Sequence, residues 1–145
     1  MRRKMKGIVL WQPWALLIAA GVKHIETRKW KTAYRGPLAI CAAVRTMTSW
    51  ERDMYFVAVR NLPAIRKLPV HYGSVVATCR LADCLPSREI KRMPVYQTGT
   101  ESLWGNYGEG MWGWILEDVV PLKEPQRCVG SQGLFDIVVD LQANQ

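Results

Sequence analysis

Four ionisable residues, Lys23, His24, Glu26 and Arg28, crowd one short segment, Gly21-Val22-Lys23-His24-Ile25-Glu26-Thr27-Arg28. On a strand, Glu26 and Arg28 project to the same side, where a guanidinium holds the carboxylate ionised. Such a pair offers a hydrogen-bond acceptor beside a planar fork of donors, which suits the edge of a nucleic-acid base. The same spacing also describes an ordinary ion pair tying strand to helix. Lys23, next but one after a helix-ending glycine, is a solvated surface lysine unless a cleft desolvates it. Desolvation would lower its pKa and make it a base or nucleophile, and in an enzyme Lys23 and Glu26 would then be the catalytic residues.

Aromatic residues are the second source of chemistry. Of seven tryptophans, most are expected in the core. Trp30 stands between Lys29 and Lys31, and Trp104 and Tyr107 lie in a stretch rich in glycine and polar residues. Aromatics interleaved with cations, or carried on loops, make stacking platforms for unpaired bases.

The net charge is +8, and all of it resides in residues 1–35, where nine basic side chains face one acid, Glu26. The remaining 110 residues carry eleven of each sign. Charge concentrated in this way attracts polyanions through counterion release. The four cysteines, at 41, 79, 84 and 128, show no Cys-x-x-Cys spacing, and only His24 and His71 could join them. No metal site and no cofactor is expected. Reduced core thiols fit a cytoplasmic protein. The basic start followed by an apolar run resembles a signal peptide, but Gln12-Pro13 interrupts it, and the run is too short for a membrane span.

The elements that must hold these residues follow from pattern. Residues 1–5 read as a basic tail and 6–11 as a strand. Pro13 opens a two-turn helix at its favoured first position, with Trp14, Leu17 and Ile18 on one face and Gly21 at its end. Extended segments are expected at 24–30 and 38–44, separated by the turn at 34–37. Thr48-Ser49-Trp50-Glu51 is a capping box opening a helix to about Arg60, with Trp50, Met54 and Val57 as its apolar face. Strands follow at 73–85, 111–120 and 134–141, and 86–110 reads as a long functional loop with a helical turn near Arg88–Arg92. Five or six strands with two or three helices favour an α+β fold, a small mixed β-barrel.

Gln12-Pro13-Trp14-Ala15, Gly21-x-Lys23-x-x-Glu26-x-Arg28, Arg35-Gly36-Pro37, Gly113-Trp114 and Gly130-Ser131-Gln132-Gly133-Leu134, in this order, resemble the ASCH domain family. The resemblance runs from residue 6 to 141, leaving 142–145 as a C-terminal tail. It implies a PUA-like barrel and an RNA-binding role, with single-stranded RNA or a nucleotide-like ligand as partner. It also implies a basic cleft lined by Lys23, Glu26 and Arg28, with Trp14, Arg35 and Gly36 at its mouth. With Gln12, Lys29, Trp30, Lys31, Trp104 and Tyr107 these complete the expected ligand-binding set. Some small members of the family are amidohydrolases acting on acetylated cytidine through a Lys, Thr and Glu set, and others cleave single-stranded RNA. Lys23 matches that lysine. The position of the threonine falls on Glu26, with Thr27 one place later, and Glu89, Glu101 and Glu109 are nominal candidates for the distal glutamate.

Overall fold

A computed structural model describes residues 1–141. Its strands are β1 (Arg2–Leu10), β2 (Ile25–Arg28), β3 (Gly36–Ala42), β4 (Ser74–Pro86), β5 (Trp112–Arg127) and β6 (Phe135–Asp140). Its helices are α1 (Trp14–Ala19), α2 (Ser49–Asn61), α3 (Ser87–Ile90) and α4 (Pro94–Gln97), with 3-10 turns at Pro63–Lys67 and Glu101–Leu103. The strands form one mixed sheet in the order β2-β5-β4-β3-β1-β6, in which only β1 and β3 run parallel.

Side-chain alternation explains the continuous apolar run of β3. Leu38, Ile40 and Ala42 face one core with Ile8, Leu10, Ile18, Leu81 and Trp114, while Ala39 and Cys41 face a second with Met5, Val75, Leu122, Cys128 and Val139. Both faces of this strand are buried, so neither needs polar residues. Leu16 and Leu17 of α1 turn away from the sheet and pack with Ala58 and Ile65, which anchors α2.

The α+β class holds, but the sheet is not a closed barrel: β2 and β6 remain its edges. Register shifts between β4 and β5 at Val75/Ala77, Thr78/Arg80 and Leu81/Asp83 are bulges, which bend a strand pair. Side chains then bridge what backbone ladders do not. Arg28 on β2 donates to the Val9 carbonyl on β1 at 2.9 Å. On the β6 side, Gln126 Nε2 donates to the Val138 carbonyl at 2.9 Å, and its Oε1 accepts from Asp140 N at 2.8 Å.

Several local expectations change. Residues 2–5, read as a tail, belong to β1, because Arg2–Gly7 pair with Phe135–Asp140, a partner more than 120 residues away. Pro13 is the residue before α1 rather than its first, and Gln12 Oε1 accepts the Leu16 amide at 2.9 Å. Gly21 ends the segment as expected, with φ +76. The capping box of α2 forms, but Trp50 and Val57 on its expected apolar face are exposed; Met54, Tyr55, Ala58 and Val59 pack inward instead. β5 continues to Arg127 past Pro121 and Pro125, since Pro121 lies where its register with Ala77 shifts. The 86–110 stretch holds α3, α4 and a 3-10 turn. Residues 142–145, read as a tail, lie outside the described residues.

Candidate functional site

The β2 strand pairs with the start of β5, Glu26 opposite Trp114 and Arg28 opposite Trp112. This places the Glu26–Arg28 pair at the base of an open cleft of about 1110 Å³. Arg28 Nε and Nη2 both donate to Glu26 Oε2, at 3.1 and 2.9 Å, and Nη2 also reaches Val9. No hydrogen bond from Nη1 is found among the described residues.

Lys23 lies beneath this pair rather than on the cleft surface. Its side chain is fully buried, its Nζ donates to the Ile25 carbonyl, and Glu26 Oε1 stands 3.5 Å away. A buried ammonium requires such partners, and here it balances the carboxylate from below. Gln12 is likewise internal: Nε2 donates to the His71 carbonyl at 2.8 Å, while Oε1 holds the first turn of α1.

Aromatic walls rise around the base. Trp11, Trp14, Trp30, Trp50 and Trp104, five of the seven tryptophans, line the cleft. Trp14 and Trp50 face one another at 6.2 Å between ring centroids, tilted by 36°. The Arg45 guanidinium lies 3.9 Å over the Trp11 ring and is held there by two hydrogen bonds to Glu51. Trp30 stands edge-on to the buried Trp114 at 4.7 Å, which fixes its ring plane. Trp50 is 66% exposed, Trp11 is 55% exposed with Arg45 over one ring face, and Trp104 is buried at 6%, with its indole N–H donated to Thr100 Oγ1.

Loops supply the remaining walls. Gly105 and Asn106 follow the 3-10 turn, and Thr27 Oγ1 accepts the Asn106 amide at 3.3 Å, so Thr27 faces this loop. The Gly130–Gly133 segment forms another side. An added Cβ at Gly130 would stand 2.1 Å from a Val9 methyl, so only glycine lets this backbone lie against β1.

The loop is tied to the base by Glu101, which is 1% exposed. Its carboxylate accepts the backbone amides of His24 and Ile25, and meets His24 Nδ1 at 3.2 Å. The hydrogen bond to Glu101 raises the His24 pKa against the opposing effect of burial. Among the three candidate glutamates, Glu101 is the one brought to the Lys23–Glu26 segment. Tyr107 does not line the cleft; it packs on Tyr96 at 4.9 Å, with its hydroxyl buried and unpartnered among the described residues. Burial first, then the charge of Glu101, pushes its pKa up.

Only Glu26 and Arg28 among the lining residues are charged, so the lining itself is not basic. Lys29 and Lys31 are exposed beside Trp30, with Lys31 Nζ 5.5 Å from the Trp112 ring centroid. Arg35 is engaged by the Thr32 and Tyr34 carbonyls and by Asp83, and Gly36 lies in β3; neither lines the cleft. Trp11 and Trp50 were not singled out from the sequence as ligand contacts. Trp50 has the spacing of a core position, and nothing local distinguishes it from one. No group of His, Cys, Asp and Glu among the described residues is placed to hold a metal ion, and no described helix is long and apolar enough to cross a membrane.

Residues 8–125 match the ASCH domain. The chain belongs to the ASCH domain family. The family is generally RNA-binding. Human activating signal cointegrator 1 is 32% identical over 83 residues, a match covering 55% of this chain and 14% of that protein. The chain thus spans a small part of this curated relative's length. Among solved structures, ASCH from Zymomonas mobilis superposes with a TM-score of 0.50 at 21% identity, over 84% of this chain and 72% of that one. A variant of the same protein gives 0.48 at 17% identity, over 86% and 76%.

Proposed function

We propose that this ASCH domain binds single-stranded RNA, or a nucleotide-like ligand, by stacking unpaired bases on the tryptophans of the cleft. The observation that carries the reading is the convergence of the partly exposed Trp11, Trp14, Trp30 and Trp50 on one open cleft, backed by the buried Trp104, in which the charged residues among the lining described are the paired Glu26 and Arg28. Aromatic faces accept any base, while Arg28 Nη1 and the Glu26 carboxylate supply a donor and an acceptor for its edge. The flanking cations Lys29 and Lys31 would meet phosphates and give the interaction its salt dependence. Lys23 has a positioning role here, because its ammonium is committed to the Ile25 carbonyl and to Glu26 beneath the surface. A hydrolase centred on Lys23 draws no support from that burial.

Titration calorimetry with a short single-stranded oligoribonucleotide at two salt concentrations, followed by a check of the RNA, tests this reading. Binding that weakens with salt and leaves the RNA intact is expected. Cleaved RNA would move the function to a nuclease, and no heat at low salt would overturn RNA binding.

A further inference from the structure

Two cysteines that the cleft does not use are placed for chemistry of their own. Cys41 on β3 and Cys128 just beyond β5 are 87 residues apart, yet Cys128 Sγ donates a hydrogen bond to Cys41 Sγ at 3.7 Å. Cys79 and Cys84 are also buried and free but make no such contact among the described residues. Both thiols of the pair are buried, and Cys128, at 9% exposed, is the one nearer the surface. Cys41 is 1% exposed and sits in the core, and burial pushes its thiol pKa up. Cys128 lines a second, smaller cleft of about 430 Å³ together with Tyr72, Ser74 and Arg127.

We propose that Cys128 and Cys41 form an oxidation site, with Cys128 the sulfur that meets a hydroperoxide and Cys41 the sulfur that resolves it. In the first step the Cys128 thiol passes its proton to water, its sulfur attacks one peroxide oxygen, the O–O bond breaks, and the departing hydroxide takes that proton back to leave as water. Cys128 is then a sulfenic acid. In the second step Cys41 sulfur attacks Cys128 sulfur, the S–O bond breaks, and hydroxide leaves with the Cys41 proton as a second water. Two thiols are oxidised to one disulfide while one peroxide is reduced to two waters. The sulfurs must approach from 3.7 Å to about 2.05 Å, a movement of side-chain scale. Cys128 N is held by the Gly73 carbonyl at 2.9 Å, so the partners stay in register while this happens.

Trypsin separates the two cysteines, since Arg35, Arg45 and Arg127 bound their peptides. The reduced chain, treated with hydrogen peroxide and alkylated under denaturing conditions, is expected to yield a Cys41–Cys128 linked peptide lacking two hydrogens. Cys41→Ala is expected to stop at a Cys128 sulfenic acid that a cyclic dione traps. A variant carrying Cys79→Ala and Cys84→Ala should still cross-link, which guards against a misfolded single variant. Recovery of all four thiols unoxidised, or oxidation of Cys79 or Cys84 ahead of Cys128, would overturn the proposal.

Discussion

Arg28 Nη2 donates to the carbonyl oxygen of Val9 at 2.9 Å, joining β2 to β1 across a gap that the sheet order fills with three other strands. The same guanidinium holds Glu26. One side chain therefore links two strands that share no backbone ladder and builds the base of the cleft.

Replacing Arg28 with alanine should accordingly lower both stability and ligand affinity. Loss of hydrogen bonds to a charged group costs about 1.5–3 kcal/mol, readable as a shift in the denaturant midpoint. Arg28→Lys should recover little, because an ammonium cannot span Glu26 and Val9 as the planar fork does. Equal stability in Arg28→Ala would remove the seam role.

Trp50 should separate binding from folding. It is two-thirds exposed, so Trp50→Ala should change stability by no more than about 0.5 kcal/mol. Stacking of one base is worth about 1–3 kcal/mol, so affinity for single-stranded RNA should fall at least several-fold. Unchanged affinity would direct attention to the Trp30 side of the cleft.

His24 gives the fold a pH dependence. Its pKa is raised from 6.5 by the hydrogen bond to Glu101. The folded state thus holds the proton more tightly than the unfolded chain, and the stabilisation is full below 6.5 and disappears as pH rises through the folded-state value. Melting temperature measured from pH 5 to pH 8 should decline over that upper window, and His24→Gln should flatten the decline.

Glu101→Ala should be more damaging than its place in a loop suggests. It would leave the amides of His24 and Ile25 without their acceptor in a buried setting. A loss of about 1–3 kcal/mol is expected. The neighbouring Tyr107 should also become accessible to solvent quenchers as the 101–107 segment detaches.

Features encoded within a few residues were legible in the sequence. The Thr48–Glu51 capping box and the glycine stop at Gly21 follow from local chemistry, and so does the side-by-side projection of Glu26 and Arg28. What escaped depends on distant partners. Arg2–Lys4 have the composition of a tail, and only β6 makes them a strand. Gln12 looks like a ligand contact until His71 is placed beside it, and Glu101 is one of several equivalent glutamates until the chain brings it to His24. Prolines at 121 and 125 concealed the length of β5, because their cost depends on where the β4 register slips. The aromatic lining is half visible in the sequence: Trp14, Trp30 and Trp104 stand out there, whereas Trp50 joins them only through the approach of α2 to α1.

The amide of Gln126 stands where a neighbouring strand would otherwise bond, accepting from Asp140 and donating to Val138. A bare strand edge is a template on which another chain can polymerise. At Val138 and Asp140, the positions that Gln126 reaches, an incoming strand would first have to displace a side chain that already supplies both a donor and an acceptor.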